Sequence, residues 1–361
     1  MKQITITVLM AFFVALQVFA ERVDMREAGV DNQEALKNTE IINNTINRLN
    51  KAGGGTLFFP SGDYLTASIH MKSNITLELE AGATLRFSDN FDDYMPFVEM
   101  RHEGVMMKSF QPLIYATDAE NITIKGEGKL DGQGKAWWKE FFRVLIDLRD
   151  NGKRDINKYQ PLFEQANDMK TLYAETNVDW HSTLDRRFLR PPFIQPLRCR
   201  NVRIEGITIV NSPFWTVNPN FCDNVTVKGV TINNVPSPNT DGINPESCSN
   251  VHISDCHISV GDDCITIKSG RDLQARKIGR PCENITITNC TMLSGHGGVV
   301  IGSEMSGGVK KVTISNCVFD GTDRGIRIKS TRGRGGVVED IRVSNVVMSD
   351  IKREAVVLNL K

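Results

Sequence analysis

Four short segments carry the residues best suited to chemistry: Asn239-Thr-Asp241-Gly, Gly261-Asp262-Asp263-Cys, Gly295-His296-Gly and Arg327-Ile-Lys329. Apolar residues beside them supply a common frame: Ile243, Ile265, Val299, Ile326 and, further on, Val356. In that frame Asp241 and Asp263 occupy one position on adjacent coils, two residues before their anchors. Asp262 comes one residue earlier, and His296 falls above it on the next coil. Arg327 and Lys329 flank Ile328 one coil further on. The alignment predicts three carboxylates, a histidine and two cations on one outer face. Crowded carboxylates repel one another, so at least one is expected to hold a proton near neutrality. A protonated acid beside an ionised base is what glycoside hydrolysis requires. Any one aspartate could instead finish a turn before a strand. The histidine and the cations in register argue for the set.

The elements that position these residues show in a repeat. One phrase returns as Asn74-Ile-Thr-Leu, Asn121-Ile-Thr-Ile, Asn201-Val-Arg-Ile, Asn224-Val-Thr-Val, Asn250-Val-His-Ile, Asn284-Ile-Thr-Ile, Lys311-Val-Thr-Ile and Asp340-Ile-Arg-Val. From Val202 the anchors recur at 225, 251, 285, 312 and 341, spacings of 23, 26, 34, 27 and 29. Each phrase alternates apolar and polar residues, as a strand with one buried face does. Short strands, turn-rich corners and an irregular period predict an all-β fold, a right-handed parallel β-helix. A leucine ladder or longer antiparallel hairpins would indicate leucine-rich repeats or propeller blades, and neither is present. Ala35, Ile42, Ile46 and Leu49 at helical spacing predict a capping helix over 32–52. Gly53-Gly-Gly-Thr-Leu-Phe-Phe-Pro is expected to open the first strand. The repeat vanishes between Gly134 and Arg190, where Trp137, Trp138, Phe141, Phe142 and Trp180 predict a loop or short helices, either packing or a cleft wall. Cys256, Cys290 and Cys317 each follow an anchor by five residues, so the eight cysteines read as buried stacked thiols rather than bridges.

Composition bounds the rest. Lys+Arg 43 against Asp+Glu 43 gives zero net charge, which argues against bulk attraction to nucleic acid or an anionic membrane. With 40% hydrophobic and 24% charged residues, wholesale disorder is excluded. Met1 to Ala20 reads as an export leader, with Lys2, an apolar run from Ile4 to Phe19 and Val18-Phe19-Ala20 as a cleavage site. The expectation is a periplasmic or secreted protein without a membrane anchor, a single domain over 21–361. Two cationic stretches leave the catalytic rungs. Lys268, Arg271, Arg276, Lys277 and Arg280 form one, with Asp272 as its only acid; Arg324, Arg327, Lys329, Arg332 and Arg334 form the other. They predict a track for a polyanion.

In this order the four motifs resemble the signatures of the polygalacturonase family, glycoside hydrolase family 28. Gly55-Thr-Leu-Phe-Phe-Pro-Ser-Gly-Asp-Tyr-Leu and Arg190-Pro-Pro-Phe-Ile are also similar to bacterial members, and the resemblance covers essentially all of the chain beyond the leader. It implies hydrolysis of α-1,4-galacturonic linkages of pectic polysaccharide with inversion, by a monomer with no cofactor and no metal. Asp262 would be the general acid, with His296 beside it holding its protonation. Asp241 and Asp263 would activate water, with acid and base about 6.5–9.5 Å apart. Asn239, Arg327, Lys329 and Lys268 would bind substrate. Ile301-Gly-Ser-Glu-Met-Ser-Gly-Gly resembles exo-type members, which favours exo over endo action. Family members usually continue for several coils after the Arg-Ile-Lys motif, so a chain ending at Lys361 is expected to be a shortened form. A rhamnogalacturonan hydrolase, a calcium-dependent pectate lyase and a non-catalytic β-helix remain as alternatives.

Overall fold

Parallel strands stacked in register dominate the computed structural model, which describes residues 20–151, 158–177 and 188–360. All but the last residue of the expected leader lie outside these, as does Trp180. The repeat anchors pair as aligned: Ile122 with Val202, then Val225, Val251, Ile285, Val312 and Ile341. Two residues on, a second core column runs Leu57, Leu77, Ile124, Ile204, Val227, Ile253, Ile287 and Ile314, and the exposed Val343 continues its register. Between the columns the side chains alternate outward, as the pleat requires.

The leading residue of each phrase has a backbone reason. Asn74, Asn121, Asn201, Asn224, Asn250 and Asn284 all adopt left-handed φ values between 56 and 63°. Asparagine tolerates that conformation better than other residues with a β-carbon. Their amides also stack from coil to coil: Asn121 donates to Asn74 at 2.8 Å, Asn201 to Asn121 at 2.8 Å and Asn284 to Asn250 at 3.2 Å. Lys311 and Asp340 keep the same φ without asparagine.

The strand series that carries the chemistry forms a separate sheet. Its core column reads Ile69, Ile114, Ile194, Val217, Ile243, Ile265, Val299 and Ile326, and the exposed Val356 continues the same register. The five rungs aligned from sequence are therefore adjacent, and four more precede them.

Helix α1 (Ala35–Lys51) seats Ile42, Ile46 and Leu49 on the first coil. The first strand is not the glycine-led one: Glu21–Asp24 precedes it and pairs in parallel with Gly55–Phe59. Its Glu21-Arg22-Val23-Asp24 sequence carries one apolar residue, so no alternation marked it. The interruption of the repeat holds α2 (Lys135–Asn151), α3 (Gln160–Ala166) and α4 (Met169–Thr176). Trp137 is buried among Phe91, Tyr94, Phe110 and Phe188, and the Trp138 indole donates to the Ser212 carbonyl at 2.9 Å. Trp137 and Trp138 thus serve packing, while Ala166, Asn167, Asp168, Thr171, Leu172 and Glu175 of the same segment border a depression of 420 Å³ beside the 98–109 hairpin. An antiparallel hairpin, Val98–His102 with Val105–Ser109, was not foreseen. No described helix is long and apolar enough to cross a membrane.

All eight cysteines are free and buried. Cys256, Cys290 and Cys317 each donate to the carbonyl two residues earlier, at 3.2–3.3 Å. Eight thiols are therefore expected to react with a water-soluble disulfide reagent only after denaturation; prompt reaction of the native protein would contradict this packing. Truncating Ile287, which is buried in the core column, is expected to cost about 2–5 kcal/mol in denaturant titrations.

Candidate active site

Asp241, Asp262 and Asp263 converge on a cavity of 340 Å³, with Asn239, Lys268 and Lys329 also in its wall. The face they share is less open than the alignment implies. Asp241 and Asp263 are buried, because the chain turns into the strand Asp263–Ile267 at that point and lays both side chains on the cavity floor. Two glycines make the turns possible. A β-carbon on Gly261 would meet the Ser237 carbonyl, and one on Gly295 would stand 2.6 Å from the Asp262 carbonyl. The second approach lets the His296 amide donate to that carbonyl at 2.8 Å, fixing histidine above aspartate.

Each carboxylate has a distinct partner set. His296 Nδ1 lies 3.2 Å from Asp262 Oδ1, the Asp263 amide donates to the same oxygen at 2.9 Å, and Asn239 Nδ2 reaches Oδ2 at 3.4 Å. Asn239 is held in turn by Arg190, which donates to its Oδ1 at 2.8 Å. Asp263 Oδ2 is paired with Lys329 Nζ at 2.8 Å. Asp241 Oδ2 accepts from Thr266 at 3.2 Å and faces Lys268 Nζ at 3.8 Å. Lys268 is held more tightly by Glu304 at 2.7 Å and lies over the Trp215 ring. The Asp241–Lys268 contact is the looser of the two.

The three carboxylates bring one oxygen each within 4.8 Å of one another. Equivalent positions on adjacent parallel strands are about 4.8 Å apart, and the stacking transmits that spacing to the side chains. Crowding and burial divide the three groups. Burial, with Asp262 as neighbour, pushes the Asp241 carboxyl well up against the pull of Lys268. Burial also raises Asp263, opposed by the Lys329 ammonium. For Asp262 burial alone would act upward, but the His296 hydrogen bond and charge override it and hold the carboxyl down. The same bond raises His296. Thus the neutral form is favoured at Asp241, whereas in the free protein His296 favours the ionised form of Asp262 rather than its acid form.

Such a cluster could also hold a divalent cation; Lys329 and Lys268 supply countercharge in that position. Arg327 is half-buried and does not line the cavity, and His296 borders a second depression of 500 Å³ beyond Asp262. The cationic stretches are also less free than their composition suggests. Arg334 pairs with Asp272 and Glu304, Arg280 with Asp223 and Arg324 with Glu354, while Arg276 donates to the Gly333 and Arg334 carbonyls. Alignment by coil did not reach Glu103, Trp215, Ser303 or Glu304, which with Arg271 and Arg334 complete the wall. Glu304 stood in the segment Ile301 to Gly308, yet only the folded chain shows its contact with Lys268.

One consequence is spectroscopic. The His296 imidazole is expected to titrate above the ordinary value of about 6.5, so its charge persists below that raised midpoint and is lost above it. Asp262→Asn should return the midpoint toward ordinary. A native midpoint at or below 6.5 by NMR would contradict the geometry.

The chain matches known proteins. The family model for glycosyl hydrolases family 28 matches residues 177–361. The "Probable polygalacturonase" of Vitis vinifera is 32% identical over 90% of this chain and 60% of its own length. An endo-polygalacturonase of Pectobacterium carotovorum is 30% identical over 82% of this chain and 65% of its own. Among solved structures, the exopolygalacturonase of Thermotoga maritima superposes with a TM-score of 0.82 at 36% identity, covering 95% of this chain and 76% of that one. The chain thus spans 60–65% of the length of these two curated relatives. With the family model covering more than half of it and the parallel β-helix of its solved relative, the chain belongs to glycosyl hydrolases family 28.

Proposed function

We propose that the protein hydrolyses α-1,4-galacturonosyl linkages of polygalacturonate with inversion, acting from a chain end. The observation that carries this reading is the cavity in which Asp241, Asp262 and Asp263 crowd within 4.8 Å beside Lys268 and Lys329. Asp262 donates a proton to the glycosidic oxygen as the bond to the anomeric carbon breaks. That proton is stored on the His296–Asp262 pair, as imidazolium and carboxylate. A sugar seated over the pair excludes water and favours the neutral form, moving the proton from Nδ1 to Oδ1. Asp241 and Asp263 hold the water, and as the ionised Asp263 takes its proton the water oxygen bonds to the anomeric carbon from the face opposite the leaving oxygen. Lys329 keeps Asp263 the more readily ionised of the two, which suits it to the base role. The nearest-oxygen distance alone does not select inversion, so the anomer of the first product has to be measured.

Lys329 and Arg327 are the proposed contacts for galacturonate carboxylates, with Asn239 and Lys268 also binding. The exo assignment rests on the walls. Glu103, at the hairpin tip, and Trp215 bound the cavity, and Ser303 and Glu304 come from the exo-like segment. Export and action as a single catalytic domain belong to the same proposal.

Asp262→Asn is expected to lower turnover of polygalacturonate by on the order of 10²–10⁴ while oligogalacturonides still bind. Equal release of reducing ends by the variant would remove Asp262 from the mechanism. Chromatography should show monomer or dimer from the earliest times; a spread of oligomers would indicate endo cleavage. The carboxylate triad also suits a calcium-dependent lyase. Activity lost to chelator, with an unsaturated product, would select that reading instead.

A further inference from the structure

The cavity wall contains a cation that this mechanism leaves unused. Three of its four cations are committed. Lys268 donates to Glu304 at 2.7 Å, Lys329 to Asp263 at 2.8 Å, and Arg334 to the Ser303 carbonyl at 3.1 Å while facing Asp272 at 3.0 Å. Arg271 differs. Its guanidinium faces Asp272 at 3.4 Å and Glu103 at 3.9 Å, and among the described residues it makes no side-chain hydrogen bond. Its Nε, the atom that approaches Asp272, is buried and makes no hydrogen bond. The Arg271 side chain is nevertheless the most exposed of the four, at 25% against 4, 20 and 8%.

The position of Arg271 is set in advance. Its amide donates to the Gly104 carbonyl at 3.1 Å, and the next amide, of Asp272, donates to Ser306 Oγ at 2.8 Å. Gly104 has a φ of 85°, and a β-carbon there would stand 2.8 Å from the Arg271 nitrogen and 2.9 Å from its Cβ. The hairpin turn therefore packs directly on the arginine and carries Glu103 to face it. A planar fork of donors, fixed at its base, open at its tip and short of acceptors, matches a carboxylate bidentately.

Building on the pectic substrate class argued above, we propose that Arg271 is a substrate-binding residue that selects the free-acid form of one galacturonate unit. The unit's carboxylate forms a bidentate hydrogen bond with the guanidinium and takes the place of Glu103, the carboxylate that faces Arg271 in the free protein. A methyl ester has no charge to offer and cannot make the same bidentate pair, so the position discriminates against esterified units.

The test uses the Asp262→Asn protein, so that substrate is bound and not consumed, with trigalacturonate and its methyl ester titrated calorimetrically. Adding Arg271→Gln is expected to weaken trigalacturonate by on the order of ten- to a hundred-fold and to leave the ester within about two-fold. Equal losses for acid and ester, or no loss for either, would overturn the assignment. If Arg271→Gln does not fold, Glu103→Gln decides. It should strengthen the acid several-fold and not the ester, and no change or a loss overturns the proposal. If the Asp262→Asn protein binds neither ligand, the pectic reading itself fails and this inference goes with it.

Discussion

Register between parallel strands is the constraint on which the site depends. Each coil lies about 4.8 Å above the last, and strand pairing leaves no freedom to slide without turning a core column outward. Ile243, Ile265, Val299 and Ile326 therefore hold the residues beside them at fixed mutual heights. Asp241 and Asp263 are stacked because their anchors are stacked. Placed in loops, three carboxylates would spread apart to lower their repulsion. Held by the solenoid, they cannot, and the energy of crowding appears as divided protonation.

That division needs countercharge that is equally fixed. Lys329 comes from the coil two above Asp263, and the outward alternation of Arg327, Ile328 and Lys329 aims the ammonium back at the floor. Lys268 lies on the strand register opposite Glu246, whose carboxylate is paired at 3.5 Å with the fully buried Arg101 of the hairpin. Burial pushes Arg101 down and Glu246 up, so each relies on the other to stay charged. The Arg101 guanidinium also donates to Ser247 and lies over the Phe221 ring. Removal of one member would strand a buried charge. The hairpin that carries Glu103 and Gly104 is thereby tied to the catalytic rungs by an interaction with little freedom to move.

Much of this frame could be read from residue order, because a solenoid converts sequence spacing into spatial neighbourhood. The anchors from Ile243 to Val356 needed only period-two alternation and the assumption of stacking. Contacts that leave that periodicity were hidden. The hairpin of 98–109 pairs with itself, outside the coil repeat, so nothing in its spacing points to Glu103 facing Arg271 or to Arg101 reaching Glu246. The turn before Ile265 was hidden for a related reason. Cys264 and Ile265 are both buried, which two-residue alternation does not produce. Asp263, two residues before the inward Ile265, shares its parity, so its burial follows the alternation and corrects the outer-face expectation. Charge runs misled in the opposite direction: Arg276, Arg280, Arg324 and Arg334 looked like a cationic surface, but folding directs them to carbonyls and carboxylates nearby.

The contrast between Asp241 and Asp262 shows how one scaffold shifts the acidity of neighbouring identical groups in opposite directions. Asp241 is enclosed, with one hydroxyl donor and an ammonium drawn away by Glu304, so its charged form is poorly solvated. Asp262 is equally crowded but accepts from a backbone amide and from the ring of a half-exposed histidine. The difference follows from coil geometry. Asp241 is stacked beneath another aspartate, whereas the position above Asp262 belongs to His296. Exchanging carboxylate for imidazole at a single rung is therefore enough to make the second group a proton store rather than a buried acid. In the proposed mechanism the proton is held where a bound sugar would shift it by excluding water, and the acid would be assembled only when substrate covers the pair.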